Sequence, residues 1–212
     1  MDDEKAKFLA LFIKESEEIE GFPKDILYLK QEIAVGKKYG HVGALLFAEE
    51  MGEGQGVLSE ENICYIQKLI LIEEDQKADD KVRIHPAMIG VYRKVRVRFE
   101  GMFAPPPDEV PRLMAEFAEK LKRFGDFCNN PLSHEAKIRK IAELHLEFLR
   151  IHPFGGGNGR TARVLAYYMF RFHRIYPFVF TAADKFSTYH AAFNDKSGKA
   201  MKEYFLKRTL NR

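Results

Sequence analysis

The sequence contains no tryptophan, only two cysteines and no long apolar run. Cys64 and Cys128 lie in unrelated surroundings without Cys-x-x-Cys spacing, so neither a disulfide framework nor a cysteine metal site is indicated. No apolar stretch approaches the roughly 18 residues of a membrane-spanning helix. The acidic start, Met1-Asp2-Asp3-Glu4, also differs from the basic start of a signal peptide. We therefore expect a cytoplasmic protein with no membrane partner, with export from the cell as the alternative.

An excess of charge of one sign is also missing. The chain has 34 basic and 31 acidic residues, which give a formal net charge of +3. This balance provides no extended field of the kind with which a non-specific nucleic-acid binder displaces counterions. Nucleic acid is therefore not an expected partner, and any recognition of phosphate must be local.

Apolar residues, which include 18 phenylalanines, recur at helical spacing through most of the 212-residue chain. The first pattern predicts a helix over residues 4–20 that stops at Gly21-Phe22-Pro23. The length fits one domain with a sizeable core, and the predicted fold class is mostly α. Further helices are predicted over residues 26–36 and 42–52, after Ser59 or Asn62, over 110–124, after Ser133, and after residue 160.

Residues 91–103 break this helical pattern. Val95, Val97 and Phe99 alternate with basic residues, which is typical of a strand, and Glu100-Gly101 can turn that strand into a hairpin. The basic side chains of such a hairpin either keep an edge strand in water or contact another protein. Both interpretations remain open from the residues alone.

Residues 152–163 read His-Pro-Phe-Gly-Gly-Gly-Asn-Gly-Arg-Thr-Ala-Arg and lie between two predicted helices. Glycines let the backbone approach a ligand closely, and a helix N-terminus offers unpaired N–H groups to an anion. Neither a P-loop nor a dinucleotide fingerprint is present. The segment therefore predicts a phosphate cradle of another kind.

Three side chains of this segment carry chemistry. Arg160 and Arg163 are three residues apart, so both guanidinium groups can lie on one side of the emerging helix and bind a polyphosphate. His152, beside the turn, is suited to take a proton from an attacking hydroxyl. Phe154 is predicted to point inward and anchor the turn.

The segment resembles the signature of the Fic family, His-x-Phe-x-Asp/Glu-Gly-Asn-Gly-Arg-x-x-Arg, and matches every fixed position but one. The resemblance implies a single Fic-type helical domain that transfers AMP from its substrate ATP to a Ser, Thr or Tyr hydroxyl of a target protein, which is another protein or the chain itself. It implies His152 and Asn158 as catalytic residues. The nucleotide-binding residues it implies are Gly155, Gly156, Gly157, Asn158, Gly159, Arg160 and Arg163.

The one departure is Gly156, which stands where the family has an acidic ligand of Mg²⁺. A glycine offers only its carbonyl oxygen, so Mg²⁺ is expected to be weakly held and no residue is assigned as a metal ligand. Two alternatives to AMP transfer follow. One is a nucleotide-binding module without turnover, and the other is hydrolytic removal of AMP or transfer of another phosphate-containing group.

A second resemblance lies near the N-terminus. Ser16-Glu17-Glu18-Ile19-Glu20-Gly21 is similar to the family's inhibitory motif, Ser/Thr-x-x-x-Glu-Gly/Asn, in a helix whose glutamate pairs with the second signature arginine. This implies that Ser16, Glu20 and Gly21 are inhibitory and that Glu20 pairs with Arg163. The alternative is that Glu20 is a solvated charge in an acidic run with Glu15, Glu17 and Glu18.

The resemblance also divides the chain. It places an N-terminal helical region with the inhibitory helix at residues 1–35, in the same domain as a core at residues 36–212. Within the core, residues 91–104 resemble the flap that pairs with the target backbone by strand addition, through Val95, Arg96, Val97 and Arg98. Tyr189 either stacks on the adenine or packs in the core. A homodimer is one alternative for the oligomeric state.

Overall fold

The computed structural model describes residues 1–77, 88–99, 101–126 and 132–210. These residues form nine α-helices and one two-stranded antiparallel ribbon, which confirms the predicted fold class. No helix in this part of the chain combines the length and the apolarity needed to span a bilayer. The elements are α1 Asp3–Glu20, α2 Ile26–Ala34, α3 Gly40–Glu53, α4 Glu60–Lys77, β1 Arg98–Phe99, β2 Met102–Phe103, α5 Val110–Asp126, α6 His134–Ile151, α7 Asn158–Phe172, α8 His190–Asn194 and α9 Lys199–Leu210.

The first helix, α1, ends where its sequence predicts and begins at Asp3, one residue before the predicted start. The Asp2 carboxylate accepts a hydrogen bond from the Lys5 N–H at 2.7 Å, and Gly21 ends the helix in the left-handed region at φ 87°. Leu9, Phe12 and Ile13 form the buried face, which packs against α2, α3 and α7. The N-terminal helix is therefore part of the core rather than an appendage.

Helix α7 lies at the centre of the fold, with α1, α3, α4 and α6 packed around it. All of its residues are buried except Gly159 and Arg171, and a helix that is buried on every side must be surrounded by other elements. Because α7 begins directly after the glycine-rich segment, that segment is held rigidly against the centre of the domain.

The hairpin is shorter than the sequence predicts. Only Arg98–Phe99 and Met102–Phe103 pair, and Val95, which belongs to the predicted strand, is 53% exposed and lies outside the ribbon. The Arg93 guanidinium donates to the carbonyls of Val95 and Pro105, at 3.0 and 2.7 Å. In the observed register Arg96 and Val95 would face Pro105 and Pro106, and a proline has no N–H to donate to a longer ladder. Glu100, in the predicted turn, and Cys128 lie outside the described residues.

Replacing Phe12 by alanine tests whether α1 and the core form one cooperative unit. Phe12 is 1% exposed and meets the ring of Tyr167 on α7 edge-on, 5.3 Å between centroids. Because a buried phenylalanine leaves a cavity, Phe12→Ala should lower the free energy of unfolding by about 3–5 kcal/mol in a single urea transition. Leu11→Ala, at a 40% exposed position of the same helix, should cost about 1 kcal/mol or less. Equal effects of the two variants would contradict the packing described.

Candidate functional site

The glycine-rich segment reverses the chain between two helices. Helix α6 ends at Ile151, and His152 caps it in the left-handed region, at φ 49°, with its N–H donated to the Phe148 carbonyl at 3.0 Å. Gly157, at φ 73°, precedes the first residue of α7. Phe154 is fully buried between the two helices. A non-glycine residue in the left-handed region is strained, so the surrounding contacts hold the histidine backbone in place.

The Asn158 side chain binds both backbone groups of Phe154, at the other end of the turn. Its side-chain oxygen accepts the Phe154 N–H at 3.0 Å, and its amide nitrogen donates to the Phe154 carbonyl at 2.9 Å. The side chain is buried, and both of its polar groups are used inside the turn. The structure therefore places Asn158 where it fixes the shape of the cradle backbone.

The His152 imidazole is buried in surroundings that favour its neutral form. Burial lowers its pKa to about 4, and the nearby Arg93 charge acts in the same direction. The Nδ1 atom lies 3.4 Å from the Leu149 carbonyl, which can only accept, so Nδ1 carries the proton and Nε2 keeps a lone pair. Phe99 of β1 stacks on the ring, with centroids 3.9 Å apart. This stacking partner is absent from the sequence-based prediction because alternation alone does not show which rings meet.

Arg163 is bound mainly by α1, with the Tyr189 hydroxyl as a further polar neighbour. Its Nε donates to the Ser16 hydroxyl at 2.7 Å, and its Nη2 donates to the Ser16 carbonyl at 3.0 Å and to Glu20 Oε1 at 2.6 Å. Arg163 is 1% exposed, so this guanidinium depends on the protein for its hydrogen bonds. The structure thus brings together the two distant segments that the inhibitory motif pairs, and Gly21 ends the helix directly after Glu20.

Gly159 makes room for this ion pair. A Cβ atom at this position would lie 2.3 Å from Glu20 Oε1 and 3.2 Å from the Arg163 guanidinium. Real Cβ contacts are never that short, so any larger residue must displace the carboxylate. The absence of a side chain here is a condition for Glu20 to reach Arg163.

A second ion pair, which sequence analysis missed, lies deeper along the same two helices. Glu17 Oε2 is 3.3 Å from Arg160 Nη1, and Glu17 Oε1 is 2.8 Å from Nδ1 of the buried His41. Burial raises the pKa of Glu17, but the His41 hydrogen bond and the nearby cations outweigh it and lower the pKa to about 2. Glu17 is therefore a buried anion rather than a solvated charge of an acidic run. The sequence did contain a signal for this pair. Glu17 and Glu20 are three residues apart, as are Arg160 and Arg163, so two parallel ion pairs could have been predicted.

A cavity of about 220 Å³ connects several of the predicted residues. It contains the histidine, the second arginine and the glutamate of the N-terminal helix. Its lining residues are Ile19, Glu20, Phe99, Leu149, His152, Gly159, Arg163, Lys185, Tyr189, His190 and Phe193. Arg160 is turned toward Glu17, and the glycines at 155–157 form the outer, exposed or half-exposed part of the turn.

Tyr189 serves the core and also lines the cavity. It is 5% exposed, its hydroxyl is 2.7 Å from Nε2 of His145, and its ring meets Phe180 edge-on. Burial raises its pKa to about 12. The side chain is thus fixed from behind, which favours the packing interpretation for most of the ring.

The flap residues face water, and a buried arginine joins the flap to the turn. Val95, Arg96 and Arg98 are exposed, and Val97 is half-buried. Arg93, which sequence analysis did not single out, is 3% exposed and donates from Nε to the His152 carbonyl at 2.8 Å. Together with its bonds to the Val95 and Pro105 carbonyls, this contact fixes the base of the flap against the histidine.

The donor set does not fit Mg²⁺, the ion that the family resemblance implies. The backbone carbonyl is the one oxygen that Gly156 could offer to a metal ion, and it accepts a hydrogen bond from Gln67 Nε2 at 3.2 Å. The Oε1 atom of Gln67 accepts the Gly90 N–H. Among the described residues that line the cavity, Glu20 is the one carboxylate, and it is paired with Arg163. Mg²⁺ takes oxygen ligands in near-octahedral geometry, and this arrangement offers it no free protein oxygen of the acidic type.

The fold and the site together define a helical domain in which a glycine turn, a neutral imidazole and a clamped arginine meet at one cavity. The chain belongs to the Fic/DOC family, whose family profile matches residues 57–170, more than half of the chain. The resemblance stated from the sequence is thereby confirmed.

Several relatives carry the name protein adenylyltransferase Fic. The protein from Culex quinquefasciatus is 33% identical over 82 residues, which are 39% of this chain and 15% of that protein. The protein from Nematostella vectensis is 30% identical over 115 residues, 50% of this chain and 26% of that protein. The matched part of this chain thus spans about a quarter or less of these two relatives.

Solved structures share the fold across nearly the whole chain. A Fic-domain-containing signaling protein from Bacteroides thetaiotaomicron superposes with a TM-score of 0.76 at 20% identity, over 98% of this chain and 85% of that one. A Fic family protein from Desulfovibrio desulfuricans has a TM-score of 0.64 at 21% identity, over 98% and 64% of the two chains. At this identity the likeness shows the fold alone.

Replacing Gly159 by alanine tests the space that Glu20 requires. The new Cβ should expel the Glu20 carboxylate from Arg163, and amide hydrogen exchange in the last turn of α1 should rise about tenfold or more. Gly155→Ala is the matched control, since a Cβ there would meet only the end of the Met88 side chain. Unchanged exchange in Gly159→Ala would refute the steric argument.

Replacing Phe99 by alanine tests the origin of the His152 pKa. The variant exposes one face of the imidazole to water, so the pKa should rise from about 4 toward 6.5. A histidine ring titration by NMR measures this shift, with His152→Gln to identify the signal. Phe103→Ala removes a 75% exposed ring of the neighbouring strand and should leave the pKa in place. A pKa near 6.5 in the unaltered chain would contradict the buried environment.

Proposed function

We propose that this protein is an adenylyltransferase that transfers AMP from ATP to a hydroxyl of a target protein and is held inactive by α1. The observation that carries the proposal is the cavity in which the His152 imidazole and the Arg163 guanidinium meet beside the N-terminus of α7. Relatives named protein adenylyltransferase support the same activity.

In the proposed reaction the phosphates of ATP lie along the glycine turn. The first N–H groups of a helix lack acceptors within the helix, and the positive end of its dipole favours an anion. The turn, whose backbone Asn158 fixes, would hold the α- and β-phosphates, and Arg163, together with Arg160 once Glu17 releases it, would bind the outer phosphates.

His152 would act as the general base. Nε2 takes the proton of the target hydroxyl while its oxygen attacks the α-phosphorus, and the bond between that phosphorus and the α,β-bridging oxygen breaks. AMP is then bonded to the target, pyrophosphate leaves with the bridging oxygen, and the proton remains on the imidazole until solvent removes it. A neutral imidazole at physiological pH suits this role, since only the unprotonated ring can accept the proton.

Inhibition would follow from the occupation of Arg163. The Glu20 carboxylate and the Ser16 hydroxyl and carbonyl accept hydrogen bonds from Nε and Nη2 of the guanidinium. A γ-phosphate cannot reach the same donors until the end of α1 moves, so ATP is kept from the productive pose. The exposed Arg96 and Arg98 lie at the rim, where the flap would pair with the target backbone.

A second candidate function is a nucleotide-binding module without turnover. The observation that favours it is the Gly156 carbonyl, which is hydrogen bonded to Gln67 and leaves the phosphates without an anchored metal ion. Nucleotide binding without transfer would then be the whole activity.

A labelling assay with ATP radiolabelled at the α-phosphate separates these functions. Glu20→Gly should label itself or a lysate protein about tenfold or more above the unaltered chain, because Arg163 is released. Each reaction is paired with His152→Ala, which should abolish the label since it removes the base. The Glu20→Gly, Gly156→Asp double variant restores the family's acidic residue.

The outcomes assign the function. Label in Glu20→Gly that depends on His152 supports a repressed AMP transferase that tolerates Gly156. Label only after Gly156→Asp supports the nucleotide-binding module. Loss of an AMP-removing activity in Glu20→Gly would instead indicate hydrolysis, in which Glu20 orients water. No label in any variant would refute transfer from ATP.

A further inference from the structure

Lys185 is a cation of the cavity that neither signature motif includes. It begins the π-helical turn Lys185–Tyr189 and lines the same cavity as Arg163 and His152. Its Nζ donates to the Ile19 carbonyl at 2.5 Å, in the last turn of α1. That carbonyl belongs to the negative end of the helix dipole, so the ammonium group now neutralises the end of the inhibitory helix.

We propose that Lys185 is a phosphate-binding residue of this site, which supplies to the nucleotide the positive charge that the site cannot take from an anchored metal ion. The inference deepens the proposed function and rests on it. Its ligand is the polyphosphate of a nucleoside triphosphate, bound after the end of α1 has moved.

The need for such a cation follows from the donor set. A triphosphate carries several negative charges. Gly156 has no carboxylate with which to hold a Mg²⁺ ion beside them, and its carbonyl accepts a hydrogen bond from Gln67. His152 is neutral at physiological pH, as its lowered pKa requires. Among the described residues that line the cavity, Arg163 and Lys185 are therefore the permanent cations.

The surroundings of Lys185 leave its charge available to a ligand. The adjacent carboxylate, Asp184, is taken up by the Tyr204 hydroxyl and the Arg208 guanidinium, each 3.3 Å away. Nζ lies 4.9 Å from the centre of the exposed Phe186 ring, a contact that does not neutralise the charge. Glu20 also lies near Lys185, which helps to lower the pKa of that carboxyl.

Lys185 has one partner while α1 is docked, the Ile19 carbonyl, and would have another, the phosphate, once the last turn of α1 has moved. When the last turn of α1 leaves, the Ile19 carbonyl leaves with it, and the Glu20 carboxylate releases Arg163 in the same movement. The flexible four-carbon stem of a lysine lets the ammonium group turn into the vacated volume, where it can bind phosphate oxygens as a point charge. The same residue thus stabilises the closed helix and then the bound nucleotide.

Isothermal titration of the full chain with ATP and with adenosine tests the inference. All variants carry Glu20→Gly, so that no carboxylate of α1 occupies Arg163, and each titration is run in EDTA and in excess MgCl₂. In this background ATP should bind in EDTA to within about threefold of its affinity in MgCl₂. Adding Lys185→Ala should lower the affinity for ATP in EDTA by about tenfold or more, because a charge-assisted hydrogen bond is lost.

Adenosine and two further variants act as controls. Adenosine lacks phosphates, so its affinity should not respond to Lys185→Ala, and its retained binding shows that the variant is folded. Lys185→Arg keeps the charge and should preserve most of the ATP affinity. Lys122→Ala removes an exposed lysine of α5 that does not line the cavity, and it should change the affinity for ATP by less than about twofold.

Failure of this inference is distinguishable from failure of the proposed function. If ATP binds but Lys185→Ala binds it equally well, or if MgCl₂ strengthens ATP binding about tenfold or more, the inference is overturned while AMP transfer stands. If no variant binds ATP, the proposed function is overturned and the inference with it. Loss of adenosine and ATP binding together in Lys185→Ala and Lys185→Arg would assign Lys185 a structural role and also overturn it.

Discussion

The buried guanidinium of Arg163 is the constraint on which the rest of the site depends. An arginine in the central helix cannot lose its charge, and burial without partners would cost several kcal/mol. Helix α1 supplies the partners, through Ser16 and Glu20, and Gly159 leaves the room they need. A carboxylate is a favourable partner for this buried charge. Under the proposed function, the exchange of the chain's own carboxylate for a phosphate of the ligand would make the contact suited to regulation.

Two ion pairs join the helices, and they differ in their access to water. The inner pair, Glu17 with Arg160, has side chains that are 2% and 4% exposed, and His41 completes it from behind. In the outer pair, the Glu20 side chain is 32% exposed and lies at the end of its helix, next to Gly21. Because terminal turns open at lower free energy than buried helix interiors, the outer pair can separate while the inner pair keeps α1 docked.

The sequence alone could predict the features that depend on neighbouring residues. Gly21 defines the end of α1, and the order of glycines, Asn158 and arginines defines the turn and the start of α7. Features that depend on distant residues could not be predicted in this way. The burial of Glu17 requires that α3 bring His41 to it, and the Arg93 guanidinium joins the carbonyl of His152 to carbonyls on both sides of the ribbon.

The flap and His152 are joined by direct contacts. Arg93 binds the His152 carbonyl, and Phe99 covers the face of its ring, so both the backbone and the imidazole of His152 are set by the segment that would receive a target strand. The left-handed backbone of His152 needs such external support, because this conformation is unfavourable for a residue with a Cβ. A polypeptide that pairs with the ribbon would therefore present its hydroxyl to a base whose position the ribbon itself determines. In the proposed reaction, these two side chains would couple target docking to proton transfer.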